Sequence, residues 1–469
     1  MQYFQLLTKT QIEQIHEATL EILARVGVEF RFPPALEVLF HGGAKVEAQR
    51  VFFPRRLVEE QLTKPPREFT LHARNSANNL TIGGDHSVFV PANCSPFVSD
   101  LEGGRRDGTL NDYENLVKLT HASQNLDMCS DIMVEPNDVP IELRTVKKTY
   151  SCLRYSDKCF MGSVLGVQGA RQTLEMTSIL FGDSASLAER PRFVGIPCSL
   201  TPLCYDERML GAMMTYAEAG QPQLINSLAI AGATAPVTLA GALAVQNAEI
   251  LAGIVFTQLI REGTPVVYAS GSSCADMRTG ALAVGAPEMA INNALAAQMA
   301  RHYSIPSRGA GALTDAKIAD VQSGYESMMN LLTAQNSGVN FILHAAGALE
   351  TINCVSYEKF VIDDEMLGMV KRIHRGVEVT EESLALKVVK EVGPGGQFLD
   401  KNHTFDHCRA EFYLPRLSDR SPYEHWEKSG ARSIQELANQ KWKKILEAYQ
   451  PPDLPDSLDK DLKKYMAAL

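Results

Sequence analysis

Between His86 and residue 357 one pattern recurs eight times: a short run of small and apolar residues, then a segment whose apolar residues fall three and four apart. The runs are predicted strands, spanning 88–93, 128–134, 159–164, 193–198, 223–228, 266–270, 307–312 and 340–345. Helices are predicted between them, among them 111–123, 171–181, 207–219, 238–260, 287–302 and 320–335. Strands apolar on both faces belong in a parallel sheet covered by helices. Eight such units in a row predict an α/β chain with a closed (β/α)8 TIM barrel rather than an open sheet. The glycines of GAGALTDAK also lack the spacing of a dinucleotide fingerprint. Residues 1–85 read as an α+β region ahead of the barrel, 86–357 as the catalytic core, and 358–469 as a helical C-terminal extension.

Composition narrows the partners. A net charge of -10 with no basic run argues against nucleic acid. The first 27 residues read as a charged amphipathic helix rather than a secretory signal, and no uninterrupted apolar run long enough to span a membrane stands out. Nine scattered cysteines without a CxxC pair are expected as reduced thiols in the cytoplasm.

In a barrel, chemistry sits where strands end at their C-terminal face. That rule selects Asn93, Glu135, Ser163, Ser199, Asn226, Ser270, Arg308, Asp315, His344 and Glu350. Each has a plainer reading. His344 lies in an apolar strand and fits a core histidine as well as a ligand contact. Arg308 can brace the rim or grip a carboxylate as a planar fork. Asp315 fits the N-cap of the next helix, and Glu350 fits a solvent-facing position. Strand alternation puts Ser270 on the same side as Tyr268, and His344 on the same side as Ile342 and Asn340. His403 and His407 have the spacing of two metal ligands on one helix face, but HExxH is absent and no metal is expected. Lys158 opens its strand and Lys317 lies in a helix's first turn, so neither is well placed for a Schiff base.

Four segments together point to a family. GAGALTDAKIADVQSGYES, the preceding VVYASGSSCADMRTGALAVGAPE, the following GVNFILHAAGALE and the late EVGPGGQFLDKNHTFDH resemble the trimethylamine methyltransferase family, as do LTKTQIEQIHEATLEILARVGVEF and FFPRRLVEEQL near the start. The resemblance implies a (β/α)8 barrel that moves a methyl group from a methylated amine to the cobalt of a separate corrinoid protein. Founding members carry pyrrolysine at the position matched here by Leu313, ahead of Thr314, Asp315, Ala316 and Lys317. This chain therefore resembles the branch without pyrrolysine.

The difference has a chemical reading. A neutral tertiary amine must be made cationic before it can leave, whereas a quaternary ammonium departs as a neutral amine unaided. The expected donor is thus a quaternary amine, glycine betaine first, with carnitine or proline betaine as alternatives. Leu313, Asp315 and Glu350 are the expected catalytic positions. Arg308, His344 and Asn226 are expected at the carboxylate, with Ser270 and Asn93 beside them. Tyr268, Phe97 and Tyr205 are the aromatic candidates for the ammonium. No tightly bound cofactor is expected; cob(I)alamin would stand in for the corrinoid partner, and the chain is expected to form a homo-oligomer. A non-catalytic amine-binding or corrinoid-docking protein is the competing reading from another class, and a Schiff-base lyase a third.

Overall fold

The computed structural model describes residues 3–182 and 184–469. Eight parallel strands form one sheet: β1 Val88–Phe89, β2 Met128–Cys129, β3 Cys159–Gly162, β4 Phe193–Gly195, β5 Gln223–Ser227, β6 Val266–Ser270, β7 Ser307–Ala310 and β8 Phe341–Leu343. β8 pairs with β7 on one side and β1 on the other, so the sheet curls back on itself. At the remaining seam the Asp127 N–H donates to the Phe89 carbonyl at 2.8 Å and the Cys94 N–H to that of Ile132 at 2.7 Å. The result is a nearly closed barrel.

A helix follows each strand: α1 Leu110–Ala122, α2 Ile141–Tyr155, α3 Gly166–Phe181, α4 Glu207–Glu218, α5 Leu239–Ile260, α6 Pro287–His302, α7 Val321–Asn336 and α8 Tyr357–Arg375. Local chemistry starts several of them. Thr109 and Asp112 form a capping box on α1, Pro287 opens α6, and Asp320 caps α7 through the Ser323 N–H. Because α8 runs to Arg375, the expected break at 357 falls at the start of the barrel's last helix. α5 is long and apolar enough to cross a membrane by length and composition, but it is mostly buried as a barrel helix.

Alternate strand residues fill the interior. Val88, Met128, Met161, Val194, Leu224, Val267, Ala269, Phe341 and Leu343 form one apolar cluster there. The hairpin Glu68–Leu71 with Leu80–Gly83 adds Leu71 and Ile82 to that cluster, plugging the end where the strands begin. The opposite end stays open between two small sheets. One joins Ile230–Ala231, Ser273–Ala275 and Leu282–Ala283 from the loops after β5 and β6; the other joins Ala348–Leu349, Cys354–Ser356, Phe97–Asp100 and Gly104–Asp107 from the loops after β8 and β1.

Outside the barrel, the helix Lys9–Glu21 packs on α5. The strand Val28–Phe30 pairs with Cys204–Tyr205 from the loop after β4. At the other end of the chain, the helix Ile434–Ala448 lies along α8 and Asp456–Ala467 along α3.

Candidate active site at the barrel mouth

Pairing register aligns Asn226, Ala269, Arg308 and Phe341 in one row across β5 to β8. Ala269 and Phe341 belong to the interior cluster, so Asn226 and Arg308 face the interior as well. Arg308 is only 3% exposed. Its Nη1 donates to the Ser270 carbonyl and lies 3.5 Å from Asn226 Oδ1, while its buried Nε has no partner. Burial pushes the guanidinium down to about 10, with the Cys198 and Cys94 thiols acting against that shift. Among the described residues it forms no ion pair. A buried guanidinium with an unused donor and no counter-charge among the described residues has both the charge and the hydrogen-bond capacity to take an anion.

His344 follows the last residue of β8 with a left-handed φ of 60°. By alternation Phe341 and Leu343 face the interior and Ile342 the helix layer, so an extended residue 344 would turn away too. The left-handed turn breaks that alternation. It sets His344 Nδ1 3.2 Å from the Asn93 N–H, which donates to it. Burial first, then the Arg308 charge, drives the imidazole well below its ordinary value. The ring is therefore neutral, and with Nδ1 accepting, Nε2 carries the proton. Asn93 Oδ1 accepts from the Ile132 N–H at 2.9 Å, and Asn226 Nδ2 lies 3.2 Å from Cys198 Sγ. Arg308, Asn226, His344 and Asn93 thus share the mouth.

Other expected residues are placed differently. Tyr268 packs in the cluster between strands and helices, 6.2 Å from the Tyr303 ring, and Ser270 Oγ bonds Gln246 and Asn292 of α5 and α6. Both point away from the mouth, because it is Val267 and Ala269 that face inward; Ser270 reaches Arg308 only through its carbonyl. Tyr205 lies in the same outer layer, its hydroxyl on the Glu249 carbonyl. The Phe97 ring is in the rim sheet, covered by the Arg105 guanidinium 3.6 Å from its centroid. Arg105 Nε also bonds both carboxylate oxygens of Glu350 at 2.9 Å.

Asp315 does not cap α7, a position held by Asp320. Its carboxylate accepts from the N–H groups of Val284 and Gly285 at 3.1 and 2.9 Å and from Thr351 Oγ1 at 2.6 Å. It ties the loop after β7 to those after β6 and β8. Leu313 is 3% exposed within an apolar cluster that includes Ala312, Ala345 and Val284. Glu135 meets Arg144 at 3.0 Å, Ser163 Oγ meets Thr145, and Ser199 Oγ donates to the buried Glu249. Lys158 is spent on the carbonyls of Thr120, Ser123 and Leu126, at the closed end. The His403 and His407 rings lie 4.4 Å apart, and the described residues hold no group of three or more side chains set to bind a metal.

Three side chains at the mouth escape the strand-end rule. Cys94 is open to solvent yet ringed by protein, which raises its thiol to about 12, with Asp131, Lys148 and Arg308 all near enough to act on it. Buried Lys148 Nζ stands 3.3 Å from Asp131 Oδ1, whose carboxyl burial raises. β2 ends at Cys129 instead of the expected 134, so Asp131 rather than Glu135 lies just past the strand end.

The whole chain has relatives of this architecture. The family described as Trimethylamine methyltransferase (MTTB) matches residues 1–468. The chain belongs to that family. Within it, the glycine betaine methyltransferase of Desulfitobacterium hafniense (strain Y51) is 48% identical over 99% of this chain and 97% of its own. The proline betaine:corrinoid methyltransferase of Eubacterium limosum is 30% identical over 99% of this chain and 97% of its own. The Methanosarcina barkeri monomethylamine methyltransferase shares the fold, with a TM-score of 0.58 at 14% identity over 94% of this chain and 89% of that one. The family's barrel and its amine-to-corrinoid chemistry thus frame the mouth.

Proposed function

We propose that this enzyme transfers a methyl group from glycine betaine to the Co(I) of a corrinoid carried by a separate protein, releasing dimethylglycine. The observation that carries the reading is Arg308, a buried cation without a counter-ion on the inner face of the barrel mouth. A donor with a carboxylate supplies the missing charge. His344, neutral and with Nε2–H as donor, and Asn226 complete the grip on that carboxylate.

Orientation then comes from the carboxylate end. With Arg105 covering Phe97 and the rings of Tyr268 and Tyr205 in the helix layer, the carboxylate fixes which way the ammonium points. One methyl carbon–nitrogen bond breaks, its electron pair stays on nitrogen, and the methyl passes to cobalt. Because the nitrogen begins with four carbons, the leaving amine is neutral and needs no proton or covalent partner, and the aliphatic Leu313 is compatible with that. Asp315 and Glu350 act by fixing the loops around the mouth rather than by touching the donor. No cofactor is held by this chain, which works in the cytoplasm as a homo-oligomer.

The test is methyl transfer to free cob(I)alamin, followed by its visible absorbance, with glycine betaine, carnitine, proline betaine, choline and trimethylamine. Glycine betaine should turn over fastest. Turnover of trimethylamine alone would overturn the reading, and no turnover of any amine would favour a binding protein.

A further inference from the structure

After α8 ends at Arg375 the chain makes an excursion from 376 to 416 that buries almost nothing. Its two helices, Leu386–Val392 and Asn402–Glu411, contain no buried residue. Ten large apolar side chains between Val377 and Leu414 are exposed, Leu399 at 84% and Phe405 at 79%. Helices of 7 and 10 residues are too short to persist alone in water. Exposed apolar surface of this extent marks a contact site.

Both ends of the excursion are fastened at one place. Arg372 Nε donates to the Glu411 carbonyl at 2.7 Å, the Tyr413 hydroxyl to that of Glu365 at 3.0 Å, and Arg416 to Gln124 Oε1 at 2.7 Å. Lys371 beside them donates to the Asn125 carbonyl. Gln124 and Asn125 lead into β2, so this is the face where strands begin, opposite the mouth. A methyl acceptor must approach the mouth, and it must leave after each transfer, which calls for a modest and more polar contact. The excursion offers neither.

We propose that residues 376–416 form the pairing surface for a second copy of this chain, joined on the face opposite the mouth. The ten side chains expose on the order of 1,000 Å² per copy, enough for a stable interface, which needs about 800 Å² from each partner. Their apolar character suits a permanent homo-oligomer. Seven acidic and five Lys or Arg residues between 376 and 416 give no one-signed field that would keep two copies apart. The helices leave between them a cleft of about 680 Å³, where Leu386 and Val388 are rimmed by charged side chains such as Glu382, Lys387 and Asp406, that a side chain of the second copy can enter. A two-fold axis makes each copy both donor and receiver. The proposal extends the homo-oligomer named above by giving its surface, and it stands independently of which amine reacts.

Sedimentation velocity on the full chain over a wide concentration range tests it. The wild type should sediment as a dimer or a larger even-numbered assembly. The double variant Leu399→Glu, Phe405→Glu should sediment as a monomer with unchanged far-ultraviolet circular dichroism, while Val237→Glu on the mouth side keeps the wild-type assembly. A wild type that is monomeric at every concentration, or a folded double variant that assembles like it, overturns the proposal. Should the double variant not fold, hydrogen exchange of the wild type decides. Slow exchange of 386–392 and 402–411 in the assembly that becomes fast on dilution supports it, and fast exchange in the assembled state overturns it.

Discussion

The Asn93 backbone N–H donates to Nδ1 of His344 across 3.2 Å, joining the chain beyond β1 to the residue after β8. That bond fixes the tautomer, so Nε2 is the nitrogen left to donate. Replacing the ring with His344→Phe should lower kcat/KM for glycine betaine tenfold to a hundredfold, the loss of one hydrogen bond to a charged group worth about 1.5–3 kcal/mol. His344→Gln, which keeps a donor, should lose less. Equal kinetics for wild type and His344→Phe would remove the ring from the carboxylate.

The same histidine sets a pH dependence of stability. Its folded pKa lies well below the ordinary 6.5, so the unfolded chain binds the proton first as pH falls. The associated stability is fully present above 6.5 and is lost as pH drops through that value toward the folded pKa. His16, His72, His121 and His302 are lowered too, each chiefly by burial. Melting temperature should therefore decline below pH 6.5, His344 alone adding a slope of up to about 1.4 kcal/mol per pH unit. His344→Gln should flatten the decline; an unchanged profile would mean the ring titrates normally.

Arg308 separates donors by charge. Removing the guanidinium with Arg308→Met should cut kcat/KM for glycine betaine a hundredfold or more, about 3 kcal/mol, because the substrate carboxylate is left buried without a partner. Choline, which has the ammonium but no carboxylate, should be poor with the wild type and unaffected or improved in the variant. Parallel losses on both substrates would assign Arg308 to bracing the barrel.

How far the sequence speaks is clearest on β7 and β8. The starts of all eight strands are readable to within a residue, because each opens an apolar run. Their ends are less so: β5 and β6 stop within a residue of expectation, but the buried residues lining the mouth after β1, β2 and β4 read like more strand, which is why Asp131 is passed over for Glu135. Facing is also ambiguous. A parallel strand is apolar on both sides, so alternation in VVYAS gives two sets without saying which one is inside, and Tyr268 falls in the outer one. The left-handed His344 and the Arg105 bridge between Phe97 and Glu350 depend on contacts between distant parts of the chain. Arg308 is legible as a strand-end residue from the run SIPSRGAG, but its lack of an acidic partner among the described residues emerges only once the distant strands are brought together.

Asp315 joins three loops, and its loss should be felt as stability. Asp315→Ala leaves the Val284 and Gly285 N–H groups without their charged acceptor and frees Thr351, costing on the order of 3 kcal/mol. Differential scanning calorimetry should show a clear fall in melting temperature, smaller for Asp315→Asn, which keeps one acceptor oxygen. A variant with wild-type melting but a thousandfold lower kcat would instead put the carboxylate in the chemistry.

Leu313 tests whether the protein lends the donor any covalent help. The side chain is buried, so Leu313→Ala should open a cavity and cost about 2–5 kcal/mol of stability. If its role is only to fill space in its apolar cluster, which it shares with Ile342, the folded variant at low temperature should keep kcat/KM for glycine betaine within a fewfold of wild type, because the alkyl group neither gives nor takes a proton or an electron pair. Neither protein should demethylate trimethylamine, whose neutral nitrogen would have to depart as an anion. Measured with free cob(I)alamin, a wild type that demethylates trimethylamine and ignores every quaternary amine would show that activation of the nitrogen comes from somewhere else on this chain, and the role given to Leu313 would fall with it.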